Sequence, residues 1–321
     1  MTTALLFERD EVDEIDDWTG RVGRLRRSSI LWIDLSSPSD DDVLELVDEL
    51  ELESVSAERI ANGGDDPFFG DFGSHIHMTA FAPAEGVEPR RLERVECLVS
   101  ERWVVTIHEN AVPVLDDFRE RAAGSGDTGQ LDGLEFLADL LEWVLGAYLD
   151  AFEDIELALE DFDSKAMRSG VNGSEDQLGR LVELRQEIGR LRRALVSHRR
   201  TFLELTRPEL DAISSSRSAE RFAALRLRLE DVVQASRDSR ESVFGSFDVL
   251  IARNEQRTNE IMKVLTLASV LLLPGALIAG VFGMNFNLAV FENNVFFWVV
   301  LGLMAVVATT TLAIARARRW I

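Results

Sequence analysis

Two stretches without a charged side chain, residues 264–284 and 295–315, stand apart from a chain whose polar and apolar positions otherwise alternate on short periods. A bilayer core about 30 Å thick needs about 20 helical residues at about 1.5 Å rise each, so both stretches are long enough to span it. Core helices of soluble domains seldom sustain so long an uncharged run. The flanks agree with two membrane spans. Arg316, Arg318, Arg319 and Trp320 follow the second stretch, whereas residues 285–294 contain no Lys or Arg and one acid, Glu292. Basic residues accumulate on the cytoplasmic side, which predicts a cytoplasmic C-terminus and, across two spans of the cell (inner) membrane, a cytoplasmic N-terminus.

Upstream the pattern changes character twice. Residues 1–125 carry short β-branched or aromatic runs between turn signals: 29–35 (SILWIDL), 75–82, and the pair 94–100 and 103–109, which predicts a hairpin across Glu101 and Arg102. A helix is predicted after Ser37-Pro38-Ser39-Asp40, with Ser39 or Asp40 as its cap and Val43, Leu44, Leu46 and Val47 as apolar positions. Over residues 126–208 the period becomes helical. Leu134, Leu137, Leu141, Tyr148, Phe152, Ile155 and Leu159 recur at steps of three, four and seven among many acids, and after a break at 169–173 a second helix folds back as an antiparallel hairpin. Across 209–284 no proline follows Pro208 before Pro274, which predicts one helix of about 100 Å running into the first span. The fold class is therefore an α+β domain, a mixed α/β sheet unit plus a long helix hairpin, followed by a very long helix with the first span (264–284), an external loop (285–294), a second span (295–315) and a basic tail (316–321).

Composition narrows the function. The chain has 57 acidic and 34 basic residues, a formal net charge of -23, which makes nucleic acid an improbable partner. The acid excess can concentrate cations near a pore, or it can simply confer solubility. The opening residues MTTALLFERDEVDEIDD lack the basic start and long apolar centre of a secretory signal, so the N-terminal part is expected to stay in the cytoplasm. The single cysteine, Cys97, cannot form an internal disulfide and fits a reducing compartment. His75 and His77 share a strand face, where they serve either as satisfied strand histidines or as part of a structural zinc site. With no phosphate loop, nucleophile motif or dinucleotide fingerprint, the chain is not expected to be an enzyme or to hold a resident cofactor.

The segment 257–285, RTNEIMKVLTLASVLLLPGALIAGVFGMN, contains in order T-N-E-x-M-K-V-L-T, an interior proline, I-A-G and a terminal G-M-N, which Phe286 follows. It closely resembles the pore helix of the CorA family of magnesium transporters, and the order of elements resembles that family over the whole chain. The resemblance implies a homopentameric funnel in the lipid bilayer, its five first-span helices lining the pore. It puts Thr258, Met262, Leu265, Ser269, Leu273, Ala276, Gly280 and Asn285 on the pore side, and steps of three and four independently keep Thr258 through Gly280 on one helical face. Met262, Leu265 and Leu273 are then apolar constrictions, or alternatively lipid-facing and packing residues; Thr258, Ser269 and Asn285 are polar rings.

In that setting Gly283, Met284 and Asn285 form the selectivity filter, with five carboxamides accepting hydrogen bonds from the water shell of Mg2+; Gly and Asn also suit a helix C-cap. Family members of the magnesium type follow G-M-N with a loop bearing M-P-E, whereas this chain reads FNLAVFENN. Transported and regulatory Mg2+ is expected, with Co2+, Ni2+ or the Zn2+ of a related branch as further cargo. Lys263, Arg316, Arg318 and Arg319 compose a basic belt at the membrane entry, restraining the pore or snorkelling to lipid phosphates. Glu230, Asp231 and Asp238 are candidates for a regulatory site through which intracellular Mg2+ gates the pore. A two-span sensor or scaffold that conducts nothing is the alternative of another class.

Overall fold

The runs ILWIDL and WVVTIH, rich in β-branched and aromatic residues, become the two central strands of a seven-stranded sheet. The computed structural model describes residues 2–8, 11–26, 29–64, 66–84, 90–124, 128, 131–168, 174–205, 216–284 and 294–317. The strands are β1 (Thr2–Phe7), β2 (Val12–Glu14), β3 (Ile30–Ser36), β4 (Phe69–Asp71), β5 (Ile76–Ala84), β6 (Arg91–Val99) and β7 (Trp103–His108), in the spatial order β2-β1-β3-β7-β6-β5-β4. Only β3 and β7 pair in parallel, in the register Leu31 opposite Trp103 through Ser36 opposite His108; the other pairs are antiparallel, so the sheet is mixed. The predicted hairpin is β6 and β7, with Val99 opposite Val104.

Alternation along the central strands builds two cores. Leu31, Ile33, Leu35, Val105 and Ile107 face α1 (Asp40–Glu49) and α2 (Ser54–Asn62), meeting Leu46, Leu50 and Ile60. Ser39 caps α1 in a reciprocal box: the Asp42 amide donates to Ser39 Oγ at 3.2 Å, and the Ser39 amide donates to the Asp42 carboxylate at 2.8 Å. On the other face Trp32 packs against Phe118 of α3 (Pro113–Gly124) at 5.6 Å and Phe136 of α4 (Gly133–Arg168) at 5.5 Å between ring centroids.

The helical hairpin is α4 and α5 (Ser174–Leu205), and it is fastened to the sheet by polar contacts. β4 is only three residues long, so the edge of β5 is open at Phe81. There the Phe81 amide donates to His198 Nε2 at 2.8 Å, and the Phe81 carbonyl accepts from the Tyr148 hydroxyl at 2.8 Å. The long helix is α6 (Ser216–Phe282), 67 residues with Pro274 in its interior, and α7 (Asn294–Ala317) is the last element. The chain divides into two compact units, Met1–Ser246 and Phe247–Ile321, and α6 contributes to both. In the first unit α6 buries Phe222, Leu225, Leu229, Val232, Ser236, Ser239 and Val243, with Ser239 donating to Glu156 of α4 at 3.2 Å.

His198 is a buried imidazole whose accepting nitrogen is already occupied, and burial lowers its pKa to about 4. His75 is likewise lowered to about 4, by burial first and then by the neighbouring His77. A histidine depressed below its unfolded value of 6.5 stabilises the fold fully above that value and loses the contribution as pH falls from 6.5 towards 4. For the fully buried His198 the contribution is on the order of 3 kcal/mol, and for His75, nearer solvent, it is smaller. The thermal midpoint of the purified protein is expected to drop across this window, and His198→Gln to flatten the drop; an identical pH profile in the variant would refute the assignment.

Candidate ion-conducting helix pair

The second unit consists of the remainder of α6 and α7, the two helices long and apolar enough to cross a membrane. They meet where Gly275 lies against Met304; a Cβ added at Gly275 would sit 3.1 Å from the Met304 methyl. The contact leaves a clear trace on each helix. On α7 the less exposed positions are Phe296, Val300, Met304, Val307, Ala308, Thr311 and Ala315, one stripe at steps of three and four. Between Val264 and Phe282, α6 has a matching stripe of half-buried residues: Leu267, Leu271, Pro274, Gly275 and Ile278.

At about 100° per residue, that stripe is centred about 180° from the mean direction of Met262, Leu265, Ser269, Leu273, Ala276 and Gly280. The face predicted to line a pore is therefore the face turned away from α7. Met262, Leu265 and Leu273 are 53%, 59% and 67% exposed, and Thr258, Ser269, Ala276 and Gly280 are exposed beside them. Within this unit, Thr258 through Gly280 lie along one continuous strip that none of the described residues covers.

Its hydroxyl groups have a defined polarity. Thr258 Oγ1 donates to the Asn254 carbonyl and Ser269 Oγ to the Leu265 carbonyl, each at 2.9 Å and each one turn back. Because the proton is committed to the helix, the oxygen lone pairs remain as acceptors. Acceptors suit a hydrated cation, whose water protons point outward. At the end of α6 the Gly283 amide continues the ladder to Ala279 at 2.9 Å and the Met284 amide tightens to Val281 at 3.3 Å. Gly283 thus ends the helix through a narrowed last turn, without the left-handed φ that a glycine cap commonly supplies. Asn285 lies outside the described residues, as do Arg318 and Arg319. Lys263 and Arg316 are described and exposed.

The candidate regulatory acids belong to the first unit and do not converge. Glu230 pairs with Arg199 at 2.9 Å, Asp238 accepts from Gln234 at 2.8 Å, and Asp231 is exposed two turns from Asp238 on the same side of α6. Among the described residues no group of three or more His, Cys, Asp or Glu can hold a metal. His75 and His77 are each engaged by protein partners. His77 contacts Glu96 at 3.0 Å, and Glu96 also takes Thr79 at 2.6 Å and Arg94 at 3.2 Å, while His75 is held by Ser56 and Ser74. Burial pushes the Cys97 thiol far above its usual range. What sequence reasoning missed is the α6 stripe facing α7; the Pro274-Gly275 pair inside an apolar run was its available signal.

A mixed sheet with a fastened helical hairpin, one very long helix and two apolar helices in tandem define a class of protein, a two-span membrane protein with a large α/β domain. The profile of the CorA-like Mg2+ transporter protein family matches residues 27–316. The chain belongs to this family. It is similar to the cobalt/magnesium transport protein CorA of Thermotoga maritima, 24% identical over 303 residues, covering 92% of this chain and 84% of that one. It is also similar to the magnesium transport protein CorA of Escherichia coli (strain K12), 27% identical over 274 residues, covering 80% and 81% of the two chains. Among solved structures, the complete CorA magnesium transporter of Methanocaldococcus jannaschii superposes with a TM-score of 0.81 at 19% identity, covering 100% of this chain and 99% of that one.

The close approach at Gly275 generates a test. Gly275→Ala is expected to be tolerated, because the flexible Met304 side chain can yield, whereas Gly275→Leu is expected to force the helices apart at about 1–3 kcal/mol. Thermal midpoints in detergent measure the difference. Equal midpoints for the two variants would show that the helices do not meet there.

Proposed function

We propose that the chain is a divalent-cation channel, a homopentamer in the cell membrane with both termini cytoplasmic, whose main cargo is Mg2+. The observation that carries this reading is the back-to-back arrangement of α6. A single copy of two helices cannot enclose a pore. One face of α6 is occupied by α7, and the opposite face, with Met262, Leu265, Ser269 and Leu273, is uncovered and available to a ring of like helices. The relatives named for magnesium and cobalt transport support the same cargo class.

In the proposed path the ion travels hydrated. Mg2+ holds its waters at about 2.1 Å and releases them reluctantly, so acceptor rings that bond to the water shell cost less than rings that replace it. Thr258 and Ser269 supply hydroxyl acceptors, and Asn285, after the narrowed turn at Gly283 and Met284, supplies a carboxamide ring. Met262, Leu265 and Leu273 form apolar rings that close the path by expelling water. Carboxylates of α6, with Asp231 and Asp238 as candidates, hold intracellular Mg2+ through water between copies; occupancy relieves their repulsion and favours the closed state. The membrane potential drives uptake, at about 2.3 kcal/mol per charge per 100 mV. Lys263 and Arg316 belong to the entry belt at the cytoplasmic side.

Flux of Mg2+, Co2+, Ni2+ and Zn2+ into liposomes holding the purified protein tests the reading. Mg2+ flux is expected, and Asn285→Ala is expected to reduce it at least about tenfold, the factor carried by about 1.4 kcal/mol of lost hydrogen bonding. Leu273→Asn is expected to raise basal leak by wetting a constriction. Absence of flux for all four ions in the wild type would leave a sensor or scaffold as the function, and Zn2+ flux without Mg2+ flux would reassign the cargo.

A further inference from the structure

In a chain of net charge -23, a groove of about 940 Å3 between α5 and α6 is lined by Arg185, Arg190, Arg192, Arg193 and Arg240 and by no Asp or Glu. Among the described residues none of these five has an acidic partner, whereas Arg180, Arg199 and Arg221 of the same two helices each pair with an acid. Arg185 and Arg240 both lie over one ring, Phe244, at 5.6 and 5.4 Å from its centroid. Nη2 of Arg190 and Nε of Arg192 are shielded from solvent with no acceptor. Guanidinium groups gathered this way repel one another until acids from elsewhere join them.

The groove is periodic along α5. Arg185 and Arg192 are seven residues apart, and beside them run Val182, Gly189 and Val196 at the same spacing, with Val182 and Val196 38% and 50% exposed. α4 carries the converse row. Glu153 and Glu160 are exposed seven residues apart, without a partner among the described residues, and the exposed Leu157 lies between them. Inside the chain α4 and α5 bury other faces, through Ile155, Leu159, Leu184 and Leu191. A seven-residue alternation of apolar and like-charged positions is the pattern by which one helix recognises another of opposite charge. A small free polyanion would engage the arginines yet leave Val182 and Val196 in water.

We infer that the Glu153, Leu157 and Glu160 face of α4 in one copy docks on the arginine groove of α5 in the next copy, a head-to-tail contact of the kind that closes a ring. The inference rests on the assembly of like chains proposed above and assigns that assembly a contact outside the membrane.

Crosslinking of the full-length protein in its membrane tests it. Cys97 is buried, with its thiol held far above the usual pKa range, and leaves the background silent. Leu157→Cys combined with Val196→Cys, treated with a short bis-maleimide, is expected to give a ladder of linked copies, and each single variant none. A dimer from either single variant would overturn the head-to-tail geometry. Arg185→Glu with Arg192→Glu is expected to abolish the ladder in the cysteine background, and adding Glu153→Arg with Glu160→Arg to restore it. Failure of restoration in folded protein would overturn the pairing. So would saturable binding of inorganic triphosphate to the intact assembly that Arg192→Glu removes, since a covered groove has no room for it. Flux without a ladder refutes this contact and leaves transport standing; a ladder without flux does the reverse.

Discussion

The contact of α7 with one narrow stripe of α6 is the constraint on which the membrane unit depends. Once Leu267, Leu271, Gly275 and Ile278 face α7, the described positions of α6 off this stripe from Val264 to Val281 are exposed, and the strip from Met262 to Gly280 lies on the far side. In lipid there is no hydrophobic gain from pressing two apolar helices together, so such contacts rely on close packing at small residues. Gly275 against Met304 is such a place. Ala276 and Gly280, on the exposed strip, repeat the small-residue character without a partner helix among the described residues.

The first unit solves a different problem, that of holding a long hairpin against a sheet. The apolar faces do most of this, but their contacts allow sliding, and directional bonds set the register. The open edge of β5 offers the Phe81 amide and carbonyl, and one residue from each helix takes them, His198 from α5 and Tyr148 from α4. Arg90, just before β6, adds contacts to the Ala151 carbonyl, Asp154 and Glu187, so the start of the neighbouring strand also grips both helices. These bonds fix which faces of α4 and α5 remain exposed.

Much of this was legible in residue patterns, and the exceptions have physical causes. β3, β5, β6 and β7 were visible because β-branched and aromatic residues run between turn signals, α1 because of its cap, and α4, α5 and α6 because steps of three and four persist for many turns. β1, β2 and β4 were not: Thr2–Phe7 has no turn signal ahead of it, and Val12–Glu14 and Phe69–Asp71 are too short for any period to register. The exposed strip of α6 was read from Thr258 to Gly280 because its spacing is regular. The stripe opposite was not, because in a helix apolar on all sides hydropathy cannot distinguish a neighbour from lipid. The bonding of His75, His77 and Glu96 was illegible for another reason, since it depends on strands brought together by pairing, with His77 opposite Leu98 and Thr79 opposite Glu96.

Pro274 sits on the half-buried stripe of α6 and has no amide hydrogen to give, so the Val270 carbonyl one turn earlier lacks its ladder partner. The helix continues through this point, but with one fewer bond resisting curvature. α6 therefore has unequal stiffness along its length, and its most compliant turn lies inside the apolar span, between the Ser269 and Leu273 levels. A tilt imposed on one end of such a rod is absorbed there first, which lets the two levels change their separation from the axis independently while the ladders above and below stay intact.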